Sequence, residues 1–239
     1  MTLTTQSVDY HDGATLLEGF LAHDDARGRP RPAVMISHAW GGRDAFVCDQ
    51  ARRIAELGYV GFAMDMYGKG VTGTSPEENA RLMQPFLDDR ALLQGRMQKS
   101  LEALKQLDQV DAANVAVMGY CFGGLCVLDL ARTGADVRGV VSFHGLLGAP
   151  GNTAGNRIKA RVLALHGHDD PMVPVDDVIA LEQELTGAGA DWQIHVYGNC
   201  MHAFTNPAAN NPGFGTVYNA TADTRSWRAL RSFLSELFD

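Results

Sequence analysis

Six short apolar runs punctuate the chain, and stretches of helical spacing separate most of them. The runs are Ala33–Ser37, Tyr59–Met64, Val115–Met118, Val137–Phe143, Val162–His166 and Trp192–Tyr197. Between and after them, Phe46–Leu57 and Asp88–Leu107 carry apolar residues at helical spacing, Asp88–Leu107 being the longest such pattern, and Phe122–Arg132, Val175–Thr186 and Asp223–Phe238 read as helices. Gly58 marks a helix end, and Ser75-Pro76 marks a start, with a capping serine and proline at the first helical position. Strands that alternate with helices build a mostly parallel sheet covered on both faces. Ser7–Tyr10 and Thr15–Ala22 flank His11-Asp12-Gly13, which predicts an antiparallel hairpin added at the N-terminal side. The Gly/Pro-rich stretches 27–32, 145–155 and 206–215 are short enough for loops, and no repeat or linker divides the chain. Residues 1–239 therefore read as a single α/β domain, with reactive groups expected beyond the carboxyl ends of the strands.

Composition excludes several classes. The 20 basic and 28 acidic side chains leave a net charge of −8, a poor basis for binding nucleic acid. With 46% hydrophobic residues the chain has material for a large core, so disorder is excluded. No apolar run approaches the roughly 20 residues of a membrane span. The first ten residues lack a basic and then apolar leader, so the expected location is cytoplasmic. Cys48, Cys121, Cys126 and Cys200 show neither a C-x-x-C pair nor zinc spacing, and are expected as reduced thiols. No metal or cofactor is expected. Cys126 and Cys48 read as helix cysteines, and Cys200 as the best oxidation partner for Cys121.

The most informative stretch is Gly119-Tyr120-Cys121-Phe122-Gly123-Gly124, which follows the run V-A-V-M and precedes the apolar helix L-C-V-L-D-L. It matches G-x-S-x-G with cysteine in the serine position, in the strand–turn–helix context that motif requires. Neighbours without a Cβ allow a strained turn that presents the thiol, and the helix N-terminus beneath it favours the thiolate. The N–H of Phe122 is placed to stabilise an oxyanion. A buried, inert cysteine in a glycine-rich turn is the competing reading.

A thiol nucleophile needs a base, and the base needs an orienting acid. Gly167-His168-Asp169-Asp170-Pro171-Met172-Val173-Pro174 follows one strand, and Gly198-Asn199-Cys200-Met201-His202-Ala203-Phe204 follows the next. The order is nucleophile, acid, base, with Cys121, Asp170 and His202 each just past a strand. Asp169 competes for the acid role, but G-x-x-D-x-x-V-P fits Asp170. Asp170 could instead cap the helix beginning near Val175. His166 reads as strand-end packing and His195 as a structural residue within a strand.

G-Y-C-F-G-G around Cys121, H-G-x-x-D-P-x-V-P around Asp170 and M-H-A-F around His202 resemble the dienelactone hydrolases over nearly the whole chain. The resemblance implies an α/β-hydrolase three-layer sandwich with a mostly parallel central sheet, an antiparallel N-terminal hairpin and no large cap domain. It implies hydrolysis of an ester or lactone through an acyl-thioester, with Cys121 as nucleophile, His202 as base and then acid, and Asp170 as its orienter. Where family members hold the resting thiol with a glutamate after the third strand, this chain has His38. Where they place an arginine after the catalytic histidine, it has Thr205-Asn206-Pro207.

The second oxyanion donor is expected at the N–H of Ala39, with Trp40 the alternative. His38, Trp40, Arg81, Arg90 and Phe204 are the expected substrate-binding residues, the two arginines for an anionic group; Arg96 is a further candidate. Tyr67, Phe86 and Phe122 are the other aromatics expected in the pocket. The expected substrate is small, in a monomer or small homo-oligomer that binds neither nucleic acid nor membrane. A binding or regulatory protein with a vestigial triad, and a cysteine-dependent redox or acyl-transfer enzyme, are the alternatives.

Overall fold

The structure is a computed structural model that describes residues 2–25 and 28–239. Arg27, at the start of the first expected loop, lies outside the described residues. The strands are β1 (Leu3–Asp12), β2 (Thr15–Asp24), β3 (Arg31–Ser37), β4 (Val60–Ala63), β5 (Val110–Tyr120), β6 (Gly139–Phe143), β7 (Arg161–Gly167), β8 (Trp192–Tyr197), β9 (Asn210–Asn211) and β10 (Thr216–Val217). The helices are α1 (Ala45–Glu56), α2 (Pro76–Asp88), α3 (Arg90–Lys105), α4 (Phe122–Arg132), α5 (Val175–Gly187) and α6 (Ala220–Phe238). Eight strands form one sheet in the order β1-β2-β4-β3-β5-β6-β7-β8, and β9 and β10 form a separate two-stranded ribbon. The expected α/β class with a leading antiparallel hairpin holds. The chain divides into two compact units, Met1–Met118 and Gly119–Asp239.

In the first unit, β1 and β2 pair antiparallel from Leu3↔Asp24 to Asp12↔Thr15 across the two-residue turn Gly13-Ala14. Gly13 takes a φ of +57°, which the tight turn requires. β2 runs antiparallel to β4, and β3 runs parallel to it. α1 buries Val47, Gln50, Ala51, Ile54 and Ala55, a stripe at helical spacing, and Asp44 caps it by accepting the Val47 N–H at 3.1 Å. Ser75 caps α2 as the sequence predicts, accepting the Glu78 N–H at 3.2 Å. The long pattern beginning at Asp88 is corrected. Asp89 ends α2 and caps α3, so α3 has 16 residues, and the 19-residue α6 is longer.

In the second unit, β6, β7 and β8 run parallel in register, with Phe143 opposite Leu165 and His166 opposite Val196. Every residue of α4 is buried, which explains why that helix is apolar all round rather than striped. The stretch expected as a loop before Gly215 carries β9, which pairs with β10 through Asn211↔Thr216 and Asn210↔Val217. Two-residue strands have no periodicity to betray them.

Candidate active site

Cys121 sits between β5 and α4 as the N-cap of the helix, with φ 55° and ψ −116°. Such a conformation strains any residue with a Cβ and persists only where the surroundings impose it. They do so here. The Cys121 N–H donates to the Phe143 carbonyl at 3.0 Å, and the Gly124 N–H donates back to the Cys121 carbonyl at 2.9 Å. Gly119 has no alternative, because a Cβ there would lie 2.1 Å from the Gly123 carbonyl oxygen. The Cys121 and Cys48 thiols are half-buried, and all four cysteines are free thiols. Cys126 and Cys200 are buried, and burial pushes the Cys200 thiol up to about 12, with Asp169 and Asp170 adding to the effect. Cys200 is thereby held as an unreactive thiol.

Asp170 lies in a turn that is stitched to the end of β8 and to the following loop. The His168 N–H donates to the Tyr197 carbonyl and the Asp169 N–H to the Cys200 carbonyl, each at 2.9 Å. Gly167 permits this approach, since a Cβ on it would meet the Cys200 carbonyl oxygen at 2.5 Å. Asp170 does not cap α5, whose N-cap is Pro174 without a side-chain bond. Its carboxylate instead accepts the Met172 N–H at 2.9 Å through Oδ1 and faces His202 Nδ1 at 2.6 Å through Oδ2. Both residues are buried, at 3% and 1% exposure, so the pair is screened from water.

His202 is fixed through its main chain by the small ribbon. Its N–H donates to the Gly215 carbonyl at 3.0 Å, and its carbonyl accepts the Val217 N–H at 3.1 Å. Ala203, with φ 57°, then turns the chain back. The ring Nε2 has no hydrogen-bond partner of ordinary geometry, and its polar neighbour is the Cys121 sulfur. Burial opposes a charge on this ring, yet Cys121 and then Asp170 outweigh it and raise the His202 pKa to about 10. The second unit thus brings Cys121, Asp170 and His202 together, with the Phe122 N–H in the first turn of the helix that Cys121 caps.

Two residues beside the triad escape a sequence reading. His144, one position past β6, is 3% exposed with φ 38°, and its ring lies 5.2 Å from that of His202. Thr205 places its Oγ1 2.8 Å from His144 Nε2. The only signal for His144 is its place just beyond a strand's carboxyl end. Phe204 is fully buried, its ring edge-on to His144 and Tyr197 at 5.1 and 5.5 Å.

The remaining expected residues belong to the first unit. His38 is buried, and both ring nitrogens are committed to main chain. Nε2 accepts the Met66 N–H at 3.1 Å, so Nδ1 carries the proton and donates to the Ala39 carbonyl at 2.6 Å. Burial holds its pKa below the ordinary value. Tyr67 packs edge-on against His38 at 4.9 Å and donates its hydroxyl to the Trp40 carbonyl at 2.9 Å. The turn from Ala39 to Gly42 is therefore pinned at two successive carbonyls. Arg81 is exposed on α2, and Arg90 opens α3, partly buried. Arg96 is buried, paired to Asp12 at 2.7 Å and lying over the Phe86 ring at 5.6 Å. Among the described residues, no group of three or more His, Cys, Asp or Glu side chains could hold a metal ion, and no helix is long and apolar enough to cross a membrane.

Comparison with known proteins agrees with this geometry. The model of the dienelactone hydrolase family matches residues 17–238. A dienelactone hydrolase-like promiscuous phosphotriesterase, P91 from metagenomic libraries, is 39% identical, with full coverage of both chains and a TM-score of 0.94. The Caenorhabditis elegans protein K02A2.1, itself uncharacterised, is 37% identical over 158 residues, covering 63% of this chain and 98% of that one. A Synechocystis protein provisionally named a carboxymethylenebutenolidase is 26% identical over 236 residues, 92% of each chain. The match spans the elbow, the acid turn and the histidine loop alike: the chain belongs to the dienelactone hydrolase family and is a hydrolase.

Proposed function

We propose that the protein hydrolyses small esters or lactones with Cys121 as nucleophile. The observation that carries this reading is the buried 2.6 Å contact between Asp170 and His202, whose free Nε2 neighbours the thiol at the strained elbow. With the Cys121 proton held on His202, the thiolate attacks the carbonyl carbon, and the carbonyl π pair moves to oxygen. The N–H of Phe122, and in the family arrangement that of Ala39, stabilise this oxyanion. The oxyanion collapses and the alkoxide leaves, taking the proton that His202 carries. Water then attacks the thioester and gives one proton to His202 as the C–S bond breaks. The products are a carboxylic acid and an alcohol, and Asp170 keeps the imidazole in the tautomer both steps require.

The Cys121→Ala variant tests the covalent route. Turnover of p-nitrophenyl acetate is expected to fall by about 10³-fold or more. Cys121→Ser is expected to fall nearly as far, because a hydroxyl is a much poorer match for this base. A thioester trapped on Cys121 by acid quench and detected by mass spectrometry supports the reading; wild-type turnover in Cys121→Ala overturns it. Arg81 and Arg90 remain the candidates for gripping an anionic substrate. Arg→Ala at either is expected to raise KM for carboxylate-bearing esters and leave matched neutral esters unchanged. The likeness to P91 favours a second reading, phosphotriester hydrolysis by the same nucleophile. Turnover of a chromogenic phosphotriester that disappears in Cys121→Ala is its test.

A further inference from the structure

His144 touches the loop that carries His202 at three residues, His202, Phe204 and Thr205. Its ring lies at 5.2 Å and 63° to the His202 ring, and at 5.1 Å and 81° to that of Phe204. Its Nε2 meets the Thr205 hydroxyl at 2.8 Å. Its own main chain is anchored elsewhere, since the His144 N–H donates to the Leu165 carbonyl of β7 at 2.8 Å. The preceding residue, Phe143, gives its carbonyl to the Cys121 N–H. One dipeptide therefore holds the elbow amide through its first residue and the histidine loop through its second. His144 and Ala203 both occupy the left-handed region, at φ 38° and 57°. Residues held in this region are kept there by what they touch.

We propose that His144 is a positioning residue for His202: a neutral imidazole, tethered to Thr205 of the same loop, that walls the base ring against swinging away from Cys121. The proposal rests on the reading of His202 as general base. The titratable groups around His144 are His202, His166 on β7 and Tyr120 at the end of β5. A cation in this place would oppose the imidazolium that His202 carries. Burial, and then the His202 charge, keep His144 well below the ordinary histidine pKa, so the wall stays uncharged while the base cycles. A side chain with no hydrogen-bonding atom would lack the tether to Thr205. A flexible one would not fix a ring plane.

The test compares p-nitrophenyl acetate hydrolysis by wild type, His144→Ala, Thr205→Val and the double variant, with Cys121→Ala alongside. His144→Ala is expected to lower kcat about 10- to 100-fold with KM changed less than about threefold, the signature of a misaimed base rather than a lost binding contact. Thr205→Val, nearly the same size, is expected to lose about 3- to 10-fold in kcat, and to lose no more when His144 is already alanine, because both changes remove one unit. The downfield NMR proton of the His202–Asp170 contact should broaden in Thr205→Val. Wild-type kcat in folded His144→Ala, or an effect on KM alone, overturns the proposal. If His144→Ala does not fold, unchanged kcat in Thr205→Val overturns it equally. An active Cys121→Ala removes the reading beneath it, whereas inactive Cys121→Ala beside fully active His144→Ala defeats this proposal alone.

Discussion

Burial by itself would leave His202 neutral, yet the ring holds its proton up to about 10 because Cys121 and Asp170 face it. The imidazolium is then the dominant form at neutral pH, and under the proposed mechanism it is the group that donates to the leaving alkoxide. Because Cys121 contributes more than Asp170 to this rise, removing the sulfur should undo most of it. An NMR titration of the His202 ring is expected to show a midpoint near 10 in the wild type and a clear fall in Cys121→Ala. An unchanged midpoint would mean that Asp170 alone holds the proton. At this scale Cys121, Asp170 and His202 stand out in the sequence because each lies just past a strand, within a motif whose glycines and prolines have backbone reasons, and the structure brings the three side chains together. The partners of His38 do not. Which nitrogen carries its proton depends on the Met66 N–H, which lies 28 positions away in the chain. His144 was silent for the same reason, since its contacts come from a loop about sixty residues later.

The elbow is an element whose shape leaves little room for substitution. Gly119 is apposed to the Gly123 carbonyl, where a Cβ would stand 2.1 Å from a main-chain oxygen. Neither can rotate aside. Gly119→Ala must therefore shift β5 or the first turn of α4, at a cost of about 1–3 kcal/mol, the range for overpacking a tight site. It should also lower kcat, because the shift moves the Cys121 amide off the Phe143 carbonyl. Urea unfolding together with kcat measures both; a variant of wild-type stability and activity would show that the elbow is looser than its geometry. Some elements are readable in the sequence: α4 and β8 span the residues expected of them. The margins of others are less so. β5 begins at Val110, ahead of the expected run, since Ala112 and Ala113 are exposed and Asp111 and Asn114 break the apolar pattern, and α6 begins at Ala220 behind an Asn219 cap. The β9–β10 ribbon, which grips His202, carries no pattern at all and is visible only as paired main chain.

Across the whole chain, buried neutral histidines set an acid limit on stability. His38 in the first unit and His144 and His166 in the second are each nearly inaccessible, and burial lowers the pKa of all three below the ordinary 6.5. As pH falls below 6.5 the unfolded chain takes up protons that these folded sites refuse, so the unfolded state binds more protons and stability must fall with pH. His202 has the opposite sign: its contribution is fully present below 6.5 and is lost only as pH rises through about 10, so it adds no slope of its own on the acid side. Each refused proton is worth at most about 1.4 kcal/mol per pH unit, which makes the decline visible well above the carboxylate range. Urea midpoints measured from pH 7.5 to 5 at fixed ionic strength are expected to fall steadily below pH 6.5. His144→Phe removes one titrating site while keeping an aromatic ring in its place, so its midpoints should fall less steeply over the same interval, whatever their value at pH 7.5. Parallel slopes for the two proteins would show that His144 takes up its proton in the folded state, and the uncharged wall beside His202 would fall with it.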